Sequence, residues 1–251
     1  MAKIKILHPH PAVLLEADQR YIAVSDLHIG FENKLSGRGI NISSDKYLDE
    51  MLDELSHIIR NEEPDVLLLL GDIKSSVHTV TKTEWRSIPE FLHKLSKICK
   101  VFLVPGNHDG GIQHLVPKEV RMIGSKGMVL DDTLLVHGHT MPSKTSSSVS
   151  RIVMGHIHPI FLKEGSVLSG QRVWAYLKVN KQEVFSDAKG MLDIIVLPSF
   201  NKYFYYSIQS KTYRKSISPI VSKAIKKVSK AMVLALDGSI LGNESLLEQI
   251  I

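Results

Sequence analysis

Gly106-Asn107-His108-Asp109 is the stretch from which the fold can be worked out. It follows Lys100-Val101-Phe102-Leu103-Val104-Pro105, a short apolar run stopped by proline, which reads as a buried strand. A strand that ends in Pro-Gly and then presents Asn, His and Asp sets three polar side chains at a sheet edge. That is where α/β-type folds place their chemistry. Asn offers a carbonyl oxygen to a metal, His can move a proton, and Asp can orient a His. Taken alone, such a quartet is simply a turn. Its meaning depends on partners elsewhere in the chain.

Outward in both directions the arrangement recurs. Tyr21-Ile22-Ala23-Val24 reads as a strand and ends in Ser25-Asp26-Leu27-His28. Val66 to Leu70, the most apolar run, reads as a central strand buried on both faces and ends in Gly71-Asp72. Thr133 to Val136 runs into His137-Gly138-His139, and Arg151 to Met154 into Gly155-His156-Ile157-His158. Five strand ends thus carry ligand-type residues, and neighbouring glycines let the backbone approach an ion closely. The donors are oxygen and nitrogen with no thiolate, which excludes structural zinc of the Cys type. Asp26, His28, Asp72, Asn107, His137, His156 and His158 are more donors than one tetrahedral ion needs. Asp72 stands mid-set and can bridge, which is the inventory of a two-metal centre. His139 is left open, as a second donor near the metal or as loop support.

Between the strands, Ser43 is an N-cap for a helix whose Leu48, Met51, Leu52, Leu55, Ile58 and Ile59 share one apolar face. A second helix turns Trp85, Ile88, Phe91, Leu92, Leu95 and Ile98 inward, and Ser87-Ile88-Pro89-Glu90 resembles its capping box. Residues 34–42, with Gly37, Arg38 and Gly39, read as irregular; 73–83 and 142–150 read as loops. Further strands are expected at 120–123, 127–130, 160–162, 172–179 and 192–197. Ser218-Pro219 opens a short helix through Lys227, and 231–236 is the expected last strand. No repeat or composition break forces a boundary, so residues 1–251 are expected to form one domain.

The single Cys99 allows no internal disulfide and suits a reducing, cytoplasmic compartment. No uninterrupted apolar stretch opens the chain, so no signal peptide is expected. Its apolar runs fall far short of the ~20 residues of a spanning helix, so no membrane partner is expected either. A net charge of +5 favours polyanionic partners mildly. No acidic residue occurs between Asp193 and Asp237. There Lys202, Lys211, Arg214, Lys215, Lys223, Lys226, Lys227 and Lys230 interleave with Tyr203, Phe204, Tyr205, Tyr206 and Tyr213. Such a 202–230 stretch can track a phosphate backbone and stack bases. The plainer alternative is an exposed edge with solvated lysines.

Asp26-x-His28, Gly71-Asp72, Gly106-Asn107-His108-Asp109, His137 and Gly155-His156-x-His158 together resemble the five-block signature of the calcineurin-like metallophosphoesterases. The phrase from Ser25 to Glu32, with Arg38-Gly39-Ile40, Leu197-Pro198-Ser199-Phe200-Asn201 and Leu236-Asp237-Gly238, resembles a narrower group. These are archaeal ICC-like phosphoesterases, related to bacterial enzymes that accompany a DNA ligase. The resemblance implies an α+β, four-layer αββα fold: a two-sheet β sandwich flanked by helices, with a dimetal site at the sheet edge. It implies one divalent metal on Asp26, His28, Asp72 and His158, and another on Asp72, Asn107, His137 and His156. Manganese is the first expectation, with Fe, Co, Ni or Zn as alternatives. His108 would protonate the leaving oxygen of a phosphate ester, with Asp109 fixing its tautomer, as a metal-bridging hydroxide attacks phosphorus. A phosphodiesterase acting on nucleic acid or nucleotides is the implied function. The alternative is a nucleic-acid-binding accessory subunit of a repair or ligation system with residual activity. The chain departs from protein Ser/Thr phosphatases after Asp72, where it has Ile73-Lys74-Ser75-Ser76 in place of a Val-Asp-Arg-Gly phrase.

Overall fold

Strict alternation along the apolar strands builds two sheets that share one face. The computed structural model describes residues 1–37, 39–40, 42–204 and 218–250. The first sheet has the order β1 (Lys3–Ile6), β2 (Val13–Glu16), β3 (Arg20–Val24), β4 (Val66–Leu70), β5 (Lys100–Val104), β6 (Arg121–Met122). Its β1-β2-β3 half is antiparallel; β3, β4, β5 and β6 run parallel. The second sheet is built from β7 (Met128–Leu130), β8 (Thr133–Val136), β9 (Arg151–Met154), β10 (Val173–Asn180), β11 (Met191–Val196), β12 (Val228–Ala235) and β13 (Ile240–Gly242). Its order is β13-β12-β10-β11-β9-β8-β7, with β8, β9 and β11 parallel.

Side chains alternate between faces along a strand, and here the alternation sorts into three cores. Val66, Leu68 and Leu70 of β4 meet Leu135, Val153 and Trp174 of the second sheet in the shared layer. Leu67 and Leu69 face the other way, onto helices α2 (Ser44–Glu62) and α3 (Lys82–Ser96). Leu134, Val136, Ile152 and Met154 pack outward against α4 (Pro219–Ala224) and α5 (Leu247–Ile250). Helix, sheet, sheet, helix is the expected four-layer sandwich.

Local differences from expectation have local causes. Residues 34–42 were expected to be irregular, but Phe31–Ser36 is a helix, α1, entered through Gly30 at φ 94°. Phe31 and Leu35 are buried, so packing outweighs the glycines that follow. Helix α3 starts before the expected box: Thr81 and Glu84 cap it reciprocally, and Pro89 lies within it. Its inward face is Ile88, Phe91, Leu92 and Leu95, whereas Trp85 and Ile98 are exposed. The expected strand at 160–162 is a single bridge from Ile160 to Arg172. Val228–Ala235 is not the last strand, because Asp237-Gly238 turns the chain back into β13. Among the described residues, no helix is long and apolar enough to cross a membrane.

Candidate metal centre

The parallel strands β3, β4 and β5 of one sheet and β8 and β9 of the other deliver their C-terminal ends to one place. The loops after β3 and β4 are zipped by backbone bonds, Asp26 N to the Gly71 carbonyl (3.1 Å) and His28 N to the Asp72 carbonyl (2.9 Å). The second sheet joins through His156 N, which donates to Asp26 Oδ2 at 3.0 Å. Gly155 is there for lack of space: a Cβ would run into Ser25 Oγ and the Asp26 carboxylate. Gly106 is constrained likewise by Asp72. From the second sheet's side, Ser199 Oγ donates to the Asp26 carbonyl at 2.9 Å. Asn201 Nδ2 reaches the Tyr47 hydroxyl at 2.5 Å, and that hydroxyl donates to the His28 carbonyl at 3.1 Å.

Two overlapping donor groups result. Asp26, His28, Asp72 and His158 offer ligand atoms within 4.8 Å of one another, and so do Asp72, His137 and His156; all six residues are buried. His158 Nε2 lies 3.0 Å from Asp26 Oδ1 and 3.2 Å from His28 Nε2. His137 Nε2 lies 3.4 Å from Asp72 Oδ2 and 3.2 Å from Asn107 Oδ1. Asp72 belongs to both groups. His137 Nδ1–H donates to the Leu70 carbonyl at 2.8 Å, which turns Nε2 toward the centre. Phe204 covers the outer side, its ring centroid 4.1 Å from that of His158 and 5.0 Å from that of His28.

The donor set fits divalent cations. Buried imidazole nitrogens face each other and two carboxylates at contact distance, an arrangement that invites a cation between them. Charge behaves accordingly. Burial, reinforced by neighbouring histidines, holds His28 down to about 3 and His156 to about 4. Burial also opposes the charged form of His137, but Asp72 and Asp26 outweigh it and raise that ring to about 9. Burial pushes the Asp72 carboxyl upward, yet His137 and His28 bring it well below the ordinary carboxylate range.

The backbone carries a further mark. Asp26, His28, Asp72, His156 and His158 have φ of 62°, 48°, 52°, 74° and 52°, in the left-handed region. A non-glycine residue held there costs about 1–3 kcal/mol, and such strain collects at functional sites. Among the described residues only Glu63 and Asp131 otherwise share it outside glycine.

His108 sits at the rim, Nε2 3.9 Å from Asp72 Oδ2. The expected pairing with Asp109 is not made. His108 Nδ1–H donates instead to the Ser75 carbonyl at 2.8 Å. Asp109 turns away and accepts from Ile73 N (2.9 Å), Lys74 N (3.2 Å) and Gly106 N (2.8 Å). It braces two loops, and burial with the nearby Asp72 charge raises its carboxyl to about 6. His139 lies outside both donor groups, its ring 5.3 Å from His137 and 6.2 Å from His156. Lys74 is buried with Nζ on the Ser76 and Thr79 carbonyls, turned away from the centre's donors. Within the basic stretch, Lys202 pairs with Glu50 and Lys227 with Glu183. Arg38, Tyr205, Tyr206, Lys211, Tyr213, Arg214 and Lys215 lie outside the described residues.

What the sequence did not show is the support: the Leu70 and Ser75 carbonyls, Tyr47 and the capping Phe204. Backbone carbonyls leave no mark in a sequence. Phe204 was visible as an aromatic among lysines, and its histidine partners lie far away along the chain.

At this sandwich edge two overlapping donor groups share one aspartate, an arrangement with the ligand atoms to hold divalent cations. Residues 19–196 match the family of calcineurin-like phosphoesterases. The chain belongs to that family, whose members use divalent metals to hydrolyse phosphoric esters. Over 86 residues, 34% of this chain, it is 35% identical to a probable cyclic nucleotide phosphodiesterase of Coxiella burnetii, strain RSA 493 / Nine Mile phase I. That match spans 30% of the relative's length. Among solved structures the chain resembles the Pseudomonas putida nuclease MPE, with a TM-score of 0.50 and 16% identity. The alignment covers 94% of this chain and 98% of that one. At that identity the likeness speaks for the fold.

Proposed function

We propose that this chain is a dimetal phosphodiesterase acting on a nucleotide or nucleic acid, and that residues 1–251 work as one domain. The observation that carries the reading is the pair of buried donor groups joined at Asp72. In this reading Asp26, His28, Asp72 and His158 hold one cation, and Asp72, Asn107, His137 and His156 hold the other. Two divalent cations, manganese foremost, supply a lowered water pKa and neutralise charge on the phosphoryl oxygens. The protein orients them: Leu70 fixes the tautomer of His137, and Phe204 shields His28 and His158. His108, steered by the Ser75 carbonyl, points Nε2 toward the centre and protonates the leaving oxygen.

A diester preference draws support from the relative named as a cyclic nucleotide phosphodiesterase. The narrower affinity with archaeal and ligase-associated phosphoesterases, and a place in DNA repair, rest on the sequence phrases alone. An active enzyme is favoured over a pure nucleic-acid binder because the Ser75 carbonyl anchors Nδ1 of His108 and leaves Nε2 on the side of the centre, 3.9 Å from Asp72 Oδ2. Purified protein given Mn²⁺ is expected to hydrolyse bis-p-nitrophenyl phosphate, and Asp72→Ala to lose more than the ~10²-fold that disturbing a ligand's support alone can cost. Activity surviving in that variant would sink the proposed centre.

A further inference from the structure

We propose that the cavity between the loop after β8, the turn at 184–187 and α4 seats one nucleotide of a single-stranded nucleic acid whose scissile phosphate lies at the metal centre. This rests on the phosphodiesterase reading above. The cavity encloses about 260 Å³, close to the size of ordinary small-ligand sites. Its apolar side is formed by Met141, Val184 and Phe185; Lys144 and Lys223 stand on separate walls.

The lining selects the ligand by its chemistry. Val184 and Phe185 are both 6% exposed and form a firm floor against which a flat base can lie. Lys144 and Lys223 are exposed and, among the described residues, enter no ion pair. They face only one carboxylate in the lining, that of Asp187, so the cavity carries net positive charge. A simple anion would leave the apolar floor unused, and a purely apolar ligand would leave the lysines unused. A base joined to phosphates uses both.

The position follows from the chain. Met141 is four residues beyond His137, so at ~3.4 Å per residue the near edge of the cavity lies within ~14 Å of that residue. Its far edge, the 184–187 turn, follows the Asn180 end of β10, which pairs with Met191 at the end of the sheet away from Gly155, so a strand leaving the centre along the outer face passes Met141 before it reaches the floor. Helix α4, which carries Lys223, is tied to the same segment: its cap Ser218 donates from Oγ to the Gly138 carbonyl at 2.7 Å.

The test is a fluorescence-anisotropy titration of the full chain with a fluorescein-labelled single-stranded oligodeoxynucleotide in chelator, so that no cleavage intervenes. Lys144→Ala/Lys223→Ala is expected to weaken binding about tenfold. It should also flatten the slope of log affinity against log salt by about 1.4, the share of two phosphate contacts to a single strand. Ser186→Trp fills the cavity mouth with both lysines in place and is expected to weaken binding to a similar extent. Lys226→Ala, an exposed lysine outside the cavity, is expected to leave it unchanged. All three proteins should keep wild-type kcat/KM on bis-p-nitrophenyl phosphate, which is too small to span both places. The seat is overturned if Ser186→Trp binds as the wild type does, or if Lys226→Ala weakens binding as much as the double variant. Failure of the wild type to hydrolyse bis-p-nitrophenyl phosphate with any divalent metal overturns the phosphodiesterase reading instead, and the binding series decides the seat independently.

Discussion

Asp109 keeps its carboxylate 3% exposed and spends it on three backbone N–H groups, while its neighbour His108 is aimed at the centre. The two substitutions should therefore part company. Asp109→Ala strands buried donors at about 1–3 kcal/mol each, less whatever water recovers, and is expected to lower the melting temperature sharply. His108→Ala should melt like the wild type and lose about 10²–10⁴ in kcat. Equal melting losses in both variants would contradict the division of labour. The donors that converge here were legible because their chemistry lies in side-chain type, repeated at strand ends. The role of Asp109 was not, because its partners are amides of Ile73, Lys74 and Gly106, and any residue has an amide. The left-handed φ of five site residues was equally invisible, since Asp and His carry no requirement for it.

At the level of elements, the loop between β4 and α3 is the hinge on which His108 depends. Glu84 caps α3 with Thr81 and also accepts from Ser75 N (3.0 Å) and Ser76 N (2.7 Å). One side chain thus sets both the start of a helix and the carbonyl that holds His108. Glu84→Ala is expected to cost about 1–3 kcal/mol in chemical denaturation and to reduce kcat, though it touches no donor of the centre. Unchanged kcat would mean that the Ser75 carbonyl is held by other means. The strands were easy to place because each is a run of apolar residues ended by glycine or proline. The start of α3 was harder: Ser87 and Thr81 each head a plausible capping box, and only the loop bonds of Glu84 decide between them. Helix α1 escaped notice because its short apolar face, Phe31 and Leu35, becomes significant only against the first sheet's core.

Across the whole molecule, the two sheets meet in one apolar layer and again at the centre, so cations should stabilise the sandwich as well as activate it. Stripping them leaves Asp26 and Asp72 buried with only histidines for compensation. At a hundredfold excess of Mn²⁺ over its dissociation constant, binding is expected to add about 2.7 kcal/mol per site. Calorimetry with Mn²⁺ and with chelator should show a rise of several degrees, which Asp72→Ala abolishes. Identical melting curves would mean that no cation binds between the sheets. The four-layer order was legible from strand alternation, yet the pairing of the second sheet was not. Its β11 lies between β9 and β10, and no periodicity records which strand becomes whose neighbour.

The sheets are also consecutive in the chain: β1 to β6 end at Met122 and β7 begins at Met128. Asp26, His28, Asp72 and Asn107 therefore belong to one contiguous half, and His137, His156 and His158 to the other. A chain cut at the exposed Gly124–Ser125 bond would give two fragments, each with half a coordination set and neither with a complete one. Their reassociation should depend on divalent metal, with activity reporting the union. On the proposed ligand assignment the centre is a clasp: during synthesis it stays incomplete until His137, His156 and His158 have emerged.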